Sequence, residues 1–371
     1  MILRSSRPWI MIMTMRKSKA LIAMSGGVDS SVAAYLMQQI GYDCIGATMK
    51  LLTNPSCEGS SRTCCSLDDV EDARSVAYRL GIPYYVFNFS EDFKEQVIDR
   101  FVREYEAGLT PNPCIECNRH LKFERLYLRA KELSCDTIVT GHYARIIRRD
   151  DRYVLQKGID EKKDQSYVLY SMTQEELAHT CFPLGEMTKE QIRKIAQEMQ
   201  FSNAAKPDSQ DICFVPDGDY VRFMEQYTGK VYPEGDFLDP DGAVLGRHQG
   251  AVRYTIGQRK GLGIAFGKPL YVQKKDMEAN TVTLAENGQL FSDTLIAGEM
   301  NWIAVAGLSD PVRCSAKIRY KHKEQPAVVY PLDGGLVKVV FDEPQRAITP
   351  GQAVVLYDGD DVLGGGKILE A

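Results

Sequence analysis

No stretch of this 371-residue chain holds the roughly 18 uninterrupted apolar residues that a membrane-crossing helix needs. The apolar run Trp9–Met13 is far shorter and no small-residue cleavage site follows it, which argues against a secretory leader. Residues 1–18 are expected to be a disordered leader, with Met13 or Met15 as alternative starts. An excess of positive charge is missing too. The 45 Lys and Arg stand against 50 Asp and Glu, a net charge of −5, so any contact with nucleic acid must rest on local basic patches. There are no internal repeats and no low-complexity tracts. Ten cysteines occur in a chain that lacks a secretion signal and is too large to need stapling, so the expected compartment is a reducing cytoplasm. Several of these thiols should be free, metal-bound or catalytic.

What is present in the first half is an alternation of short apolar runs with amphipathic stretches, the pattern of parallel βαβ units. Ala20–Met24, Cys44–Met49, Tyr84–Phe89 and Thr137–Thr140 read as strands. Ser30–Ile40, Leu67–Leu80, Glu91–Tyr105 and His120–Leu133 read as helices. These predict a doubly wound α/β domain over residues 19–216. Thr188–Gln200 keeps helical spacing with Thr188 as N-cap, and the helical signal fades near Asp217. Beyond it, Gly, Pro and Asp recur between short β-branched runs: Ala251–Tyr254, Leu270–Gln273, Thr281–Leu284, Val328–Tyr330, Leu336–Phe341 and Ala353–Tyr357. A small linking domain over 217–290 and an all-β, barrel-like domain over 291–371 are expected.

The sharpest motif is Ala23-Met24-Ser25-Gly26-Gly27-Val28-Asp29-Ser30-Ser31, where a buried strand turns into a helix. Paired glycines let backbone approach a ligand without an intervening Cβ, and hydroxyls with exposed helix N–H groups complete an anion cradle sized for pyrophosphate. The Gly-Lys-Ser/Thr ending of a Walker loop is absent, as is the dinucleotide fingerprint. The bland alternative is a capped Gly-Gly turn of purely structural use.

A second group is the Pro-rich Thr110-Pro111-Asn112-Pro113-Cys114-Ile115-Glu116-Cys117-Asn118, followed by Lys122-Phe123 and leading into a helix. A helix N-terminus favours thiolate, which makes Cys117 a candidate nucleophile or sulfur ligand. Asp208-Ser209-Gln210-Asp211-Ile212-Cys213-Phe214 sets another thiol in a polar loop. Two thiols that meet only in the fold suit a persulfide relay: Cys213 carries the sulfane sulfur, and Cys117 attacks it to liberate sulfide or resolves it as a disulfide. Cys44, Cys135, Cys181 and Cys314 read as small core residues.

The glycine loop resembles the SGGxDS signature of the PP-loop, or N-type, ATP pyrophosphatases, which cleave ATP between its α and β phosphates and adenylate a substrate carbonyl. With TPNPCxxCN, Thr140-Gly141-His142-Tyr143-Ala144, Lys163-Asp164-Gln165-Ser166-Tyr167, SQDICF and Tyr254-Thr255-Ile256-Gly257-Gln258-Arg259-Lys260-Gly261, in order from about Lys19 onward, the chain resembles the tRNA-specific 2-thiouridylase family. The resemblance implies ATP bound by Ala23, Met24, Ser25, Gly26, Gly27, Val28, Asp29, Ser30, Met49 and Gly141, with Asp29 helping to hold magnesium. It implies target-base contacts from Asn112, Pro113 and Cys114, and tRNA contacts from His142, Lys163, Asp164, Gln165, Arg319, Tyr320 and Gln352. Read as residues alone, Met49 suits the core equally well, and His142 suits a structural role.

One departure from the family pattern stands out: Cys114 occupies a position where well-known members carry Asp. Three arrangements therefore remain open: a metal-free relay, an iron–sulfur cluster ([4Fe–4S]) on Cys114, Cys117 and Cys213, and a zinc site completed by Cys64 and Cys65. Arg313–Lys323 holds five Lys or Arg, one His, one Tyr and no acid, and Arg247–Lys260 is likewise acid-free; both are candidate RNA patches. The expected reaction adenylates O2 of wobble uridine 34 in an anticodon loop and replaces it with sulfur supplied through a cysteine desulfurase or relay protein. The competing readings are a thiolase for another tRNA base or a small carboxylate, and a redox-sensing RNA-binding protein.

Overall fold

The computed structural model describes residues 18–52, 67–208, 212–264 and 267–371. The leader and the Cys64-Cys65 pair lie outside the described residues, as do Ser209, Gln210 and Asp211.

The apolar run after Ser18 forms strand β1 (Lys19–Ala23), whose three central residues are fully buried, as a strand covered on both faces must be. It turns through the glycine loop into helix α1 (Val28–Gln39) and returns as β2 (Asp43–Lys50). Helix α2 (Leu67–Leu80), β3 (Tyr84–Asn88) and, after two helical stretches, β4 (Thr137–Val139) follow. A fifth, two-residue strand is Thr180–Cys181. All pairings in this sheet are parallel, in the order β3, β2, β1, β4, Thr180–Cys181. The doubly wound expectation holds, and the order reverses between β1 and β4. Ligands of open α/β sheets bind at that crevice, beyond the carboxyl ends of the strands.

The linking domain carries a four-stranded sheet of Tyr271–Asp276, Thr281–Ala285, Gly235–Leu238 and Val244–His248. The C-terminal sheet closes because Phe291–Trp302 pairs with both Val337–Arg346 and Asp361–Glu370. This is the expected barrel.

Three local expectations need correction. Ala251–Arg253 is a short 3₁₀ turn rather than a strand: Gly250 at φ +104° redirects the chain, and Ala251 and Val252 are buried by packing rather than by ladder pairing. Helical structure does not end near Asp217, because Tyr220–Thr228 is a helix capped by the Asp219 side chain and stopped by left-handed Gly229. Beyond about Asp150, where the sequence pattern was expected to loosen, the chain stays regular. Ala144–Arg149 and Arg152–Lys157 form a hairpin that joins the edge of the barrel sheet at the pair Gln156–Asp361.

That hairpin brings the barrel against the first domain. Ile115, Phe123 and Tyr167 share one core with Val355, Tyr357 and Val362. A Cβ on Gly365 would lie 2.7 Å from the Tyr170 ring, so the last strand meets the α/β domain without a side chain between them.

Candidate active site

The glycine loop leaves the end of β1 and is held from several sides. The Met24 N–H donates to Ala47 O (2.8 Å), and Thr48 Oγ1 donates to Met24 O (2.6 Å). Ser30 Oγ accepts from the Ser25 N–H (3.2 Å) and donates to Gly27 O (3.0 Å). Gly26 has φ +74°, and a Cβ there would run into the Asp69 backbone, so glycine is required on two counts. Gly27 is the N-cap of α1 and brings no side chain to it, so the first-turn N–H groups are not occupied by a cap. Such a turn presents donors and a positive dipole end to an anion.

Gly141 comes from the end of β4, across the crevice. A Cβ there would lie 2.8 Å from Ser30 N and 2.9 Å from Asp29 C, so the two expected nucleotide segments touch. Met49, at the end of β2, is half-buried against the first domain's core, while Met24 and Val28 are buried.

Asp29 is the hub of a charged cluster. Its carboxylate accepts from Tyr143 OH (2.7 Å) and from Lys189 Nζ at both oxygens (2.7 and 2.8 Å). Burial, followed by the Asp29 charge, pushes the Tyr143 phenol far above its ordinary range, which keeps it a neutral donor. Lys189 also reaches Asp208 (2.7 Å), which is bound further by Lys163 (2.6 Å) and Arg193 (3.1 Å). Burial disfavours the Asp208 charge, but hydrogen bonds from Lys163 and Lys189 outweigh it and hold the carboxyl below its usual range. For magnesium, one carboxylate beside a phosphate cradle is a fitting protein contribution, since that ion takes few protein ligands and completes its shell with substrate oxygens and water.

Asn112 caps the turn Pro113–Glu116 by accepting from the Cys114 N–H (3.2 Å), with Pro113 at the first position. Cys114 is exposed and Cys117 is buried, at the start of a π-helical stretch, Cys117–Arg125. Cys117 belongs to a core cluster that includes Phe93, Phe101, Leu121 and Phe214, and Cys213 packs on the same cluster. The two thiols expected to form a relay therefore belong to one core cluster. Among the described residues, no three or more of His, Cys, Asp and Glu are placed to hold a metal ion. Cys114, Cys117 and Cys213 are thus not gathered as a cluster site, the exposed Cys114 standing apart in environment from the buried Cys117.

The residues expected to touch tRNA each have a protein partner. Tyr320 OH donates to Asp164 O (3.2 Å), Gln352 Nε2 to Thr110 O (2.8 Å), Arg319 to Arg346 O (2.7 Å), and the Tyr143 N–H to Gln165 Oε1 (3.0 Å). Lys163 is engaged with Asp208, as above. His142 is buried, paired with Thr140 Oγ1 (2.6 Å), and burial drives its pKa well below the ordinary imidazole value. The basic segments are acid-free in sequence but not in space: Arg313 pairs with Asp342 two strands away on the barrel surface, and Arg253 with Glu225 (2.6 Å). Arg259, Lys260 and Lys321 remain exposed.

Sequence reasoning missed Lys189, Asn203 and the roles of Tyr143 and Asp208. The last two lay inside quoted motifs. Lys189 carries no local signal, being the first residue of a capped helix, Lys189–Glu198.

Three family profiles match in succession: the tRNA methyl transferase HUP domain over residues 18–217, its PRC-barrel domain over 221–286, and an aminomethyltransferase beta-barrel domain over 292–368. The chain is 52% identical over 352 residues to "tRNA-specific 2-thiouridylase MnmA" of Clostridioides difficile (strain 630), covering 94% of this chain and 98% of that one. It is 53% identical over 359 residues to the protein of the same description from Acetivibrio thermocellus, covering 95% and 100%.

Proposed function

The chain belongs to the tRNA-specific 2-thiouridylase family, and from that premise we propose a division of labour among its residues. The enzyme uses ATP and magnesium to replace O2 of the tRNA wobble uridine with sulfur, through an adenylated base and a persulfide.

The triphosphate sits on Ser25, Gly26, Gly27 and Ser30 and the open first turn of α1, with Gly141 closing the other side and Met49 beneath. Magnesium, held by Asp29 and the phosphates, would offset charge as pyrophosphate leaves. O2 of the uracil attacks the α-phosphorus, the bond to the β-phosphate oxygen breaks, and the base becomes an O-adenylate. The N–H groups of the α1 turn stabilise the departing anion. The terminal sulfur of a Cys213 persulfide is then delivered to C2 with Cys117 as its partner thiol, and AMP departs. If Cys117 attacks the persulfide, sulfide is freed and a Cys117–Cys213 disulfide remains for reduction before the next turnover. Asn112, Pro113 and Cys114 face the base. Lys163, Asp164, Gln165, Arg319, Tyr320 and Gln352 shape the surface that receives the anticodon loop, and His142 acts from beneath it as a neutral buried support. The three functional units divide near residues 216 and 290, and the sulfur donor is a cysteine desulfurase or relay protein of the cytoplasm.

The observation that carries this reading is the convergence of Cys117 and Cys213 on one core cluster in a chain whose glycine loop and Gly141 meet at the switch point of the sheet. No trio of metal ligands accompanies those thiols among the described residues, which favours the two-thiol relay over a cluster. The test is purified chain with ATP, magnesium, a persulfide donor and tRNA carrying uridine or cytidine at position 34. Pyrophosphate release and 2-thiouridine are expected only with uridine. Sulfur found at another position, or thiolation without pyrophosphate, overturns the reading; iron and sulfide required for activity in an anaerobic preparation would replace the relay with the cluster.

A further inference from the structure

The loop that carries Asn112, Cys114 and Cys117 is fastened to the barrel at both ends. At its start, the Thr110 N–H donates to Pro350 O (3.0 Å) and Thr110 O accepts from Gln352 Nε2 (2.8 Å), so both main-chain groups of one residue are taken by the barrel turn 350–352. Gly351 stands between those partners at φ +91°, and a Cβ there would lie 2.7 Å from Thr110 N and 2.9 Å from Leu109 Cβ. Glycine is required at that contact both by its backbone and by its lack of a side chain. The turn is itself fixed to the last strand, where the Gly351 N–H donates to Ile368 O (2.9 Å) and the Ile368 N–H to Gln352 O (2.8 Å).

At the other end, Glu116, the residue before Cys117, is ion-paired with Arg100 (2.9 Å), which also binds Glu104 (3.0 Å) on its own helix, Asp99–Glu106. Glu104 in turn holds Lys367 of the last barrel strand (2.7 Å). The remaining arm of the guanidinium faces Glu299 (3.7 Å) on the barrel strand Phe291–Trp302. Glu299 has φ +51° and lies where the register with the last strand shifts between Gly298 and Asn301, an irregularity that aims its carboxylate at Arg100. The side chains of Arg100, Glu104, Glu116 and Lys367 are only 13% to 25% exposed, and ion pairs so placed are weakly screened. Burial opposes the charge on Glu116, but His120, Arg119 and Arg100 outweigh it and hold the carboxyl below its usual range.

We propose that the barrel positions the loop 110–117 for the reaction: the turn 350–352 and the ion pairs joining Glu116, Arg100, Glu104 and Lys367 set where the target-base residues and Cys117 stand. Arg100 and Gly351 are then positioning residues, and neither touches the reacting atoms. The inference rests on the function proposed above, which gives that loop its role. Affinity for tRNA rests mainly on phosphate contacts, so a displaced loop slows the reaction of bound tRNA rather than weakening its binding.

Two measurements on the full chain test this. Hydrogen exchange read by mass spectrometry, with no substrate present, should show the peptide covering 109–117 opening about fivefold more readily in Gly351→Ala and in Arg100→Met, the worth of one lost hydrogen bond. The glycine loop is the internal reference. It is fastened within the α/β domain by buried Asn203, whose Nδ2 donates to Gly26 O and to Ser31 Oγ, both at 2.9 Å, and its exchange should stay at the wild-type rate. Single-turnover thiolation at saturating tRNA and ATP should fall by roughly tenfold, since relieving the new Cβ from 2.7 Å to ordinary contact at 3.4 Å moves Thr110 by about 0.7 Å. Affinity for tRNA in filter binding should stay within about twofold of the wild type. Arg100→Lys keeps the charge without the fork and should restore part of the rate lost in Arg100→Met. Unchanged exchange of the loop in both variants overturns the proposal, as does a loosened loop with a wild-type rate, or a loss seen wholly as weaker tRNA binding. If either variant does not fold, Lys367→Met is read in its place by the same criteria. A wild type that makes no 2-thiouridine defeats the proposed function alone, because the exchange is measured without tRNA, ATP or a sulfur donor.

Discussion

Replacing Gly141 with alanine tests the geometry on which the nucleotide site rests. The new Cβ would lie 2.8 Å from Ser30 N, 2.9 Å from Asp29 C and 3.1 Å from Asp29 Cβ. Two of these neighbours are backbone atoms in the first turn of α1, so no side-chain rotation relieves the contact. Ordinary contact begins at 3.4 Å, and the turn must therefore retreat by about 0.6 Å. Overpacking of this kind costs about 1–3 kcal/mol. Alanine also restricts the unfolded chain, which offsets about 0.4–1 kcal/mol and leaves a net loss of about 1–2 kcal/mol. The larger consequence is for ATP, because the displaced turn carries the N–H groups proposed to hold the phosphates. A misplacement of 1 Å is worth about a hundredfold in rate, so a displacement near half that should lower kcat/KM for ATP by about tenfold. Differential scanning calorimetry should show an earlier first transition, and tRNA-dependent pyrophosphate release should show the kinetic loss. Unchanged melting together with unchanged kcat/KM would refute the claim that Gly141 packs on α1 at the phosphate site.

Other expectations follow from the same geometry. Cys117→Ser and Cys213→Ser should each lower 2-thiouridine formation by at least about a thousandfold, as removal of a nucleophile does, while filter binding finds tRNA affinity retained; wild-type thiolation in either variant would sink the relay. Asp29→Ala should block pyrophosphate release itself, which single-turnover assays with labelled ATP would reveal. Burial pushes the thiols of Cys44 and Cys135 up to about 11, and those of Cys181 and Cys314 up to about 12. At pH 8 the first pair is then only about 0.1% thiolate, so brief native alkylation with iodoacetamide should label the exposed Cys114 well before any of these four. The depressed pKa of buried His142 means that the unfolded chain binds a proton there near its reference value of 6.5 while the folded chain does not. Stability from this group is therefore complete above that value and lost as pH falls below it; His142→Asn should flatten the fall in melting temperature between pH 7 and 5, and an unchanged slope would contradict the burial of the ring.

Much of the proposed nucleotide site is legible in the sequence because its requirements are local. Gly26 must be glycine for its left-handed backbone, and the motif around it occurs where an apolar run gives way to a helical one. The βαβ alternation places that turn at the end of the first strand, and parallel order follows from the helices between strands. Thr188 announces itself as a cap through its own side chain, and the structure gives it the capping box with Gln191. The helix over Leu67–Leu80 ends as read, since its amphipathic spacing and terminal Gly81 are written in consecutive residues.

The hairpin Ala144–Lys157 was not legible, because what stabilises it is a pairing with Asp361 and a core shared with the barrel, both remote in sequence. The helix Tyr220–Thr228 was missed for a similar reason: its apolar side is defined by Phe101, Tyr105 and Phe214 of the first domain. The basic segments looked like uncompensated charge only because their acidic partners arrive on other elements.

By itself, then, the chain determined a glycine turn with the backbone for an anion site in a doubly wound domain and two thiol-bearing segments of distinct chemistry, since those depend on backbone freedom and short-range pattern. Only the tertiary structure decided that Cys117 and Cys213 share a core cluster, that Gly141 packs against the Asp29 turn, and that Lys189 stands between Asp29 and Asp208. Those facts depend on which surfaces bury together and which charges neutralise one another when solvent is excluded, and no window of sequence contains both sides of such a contact.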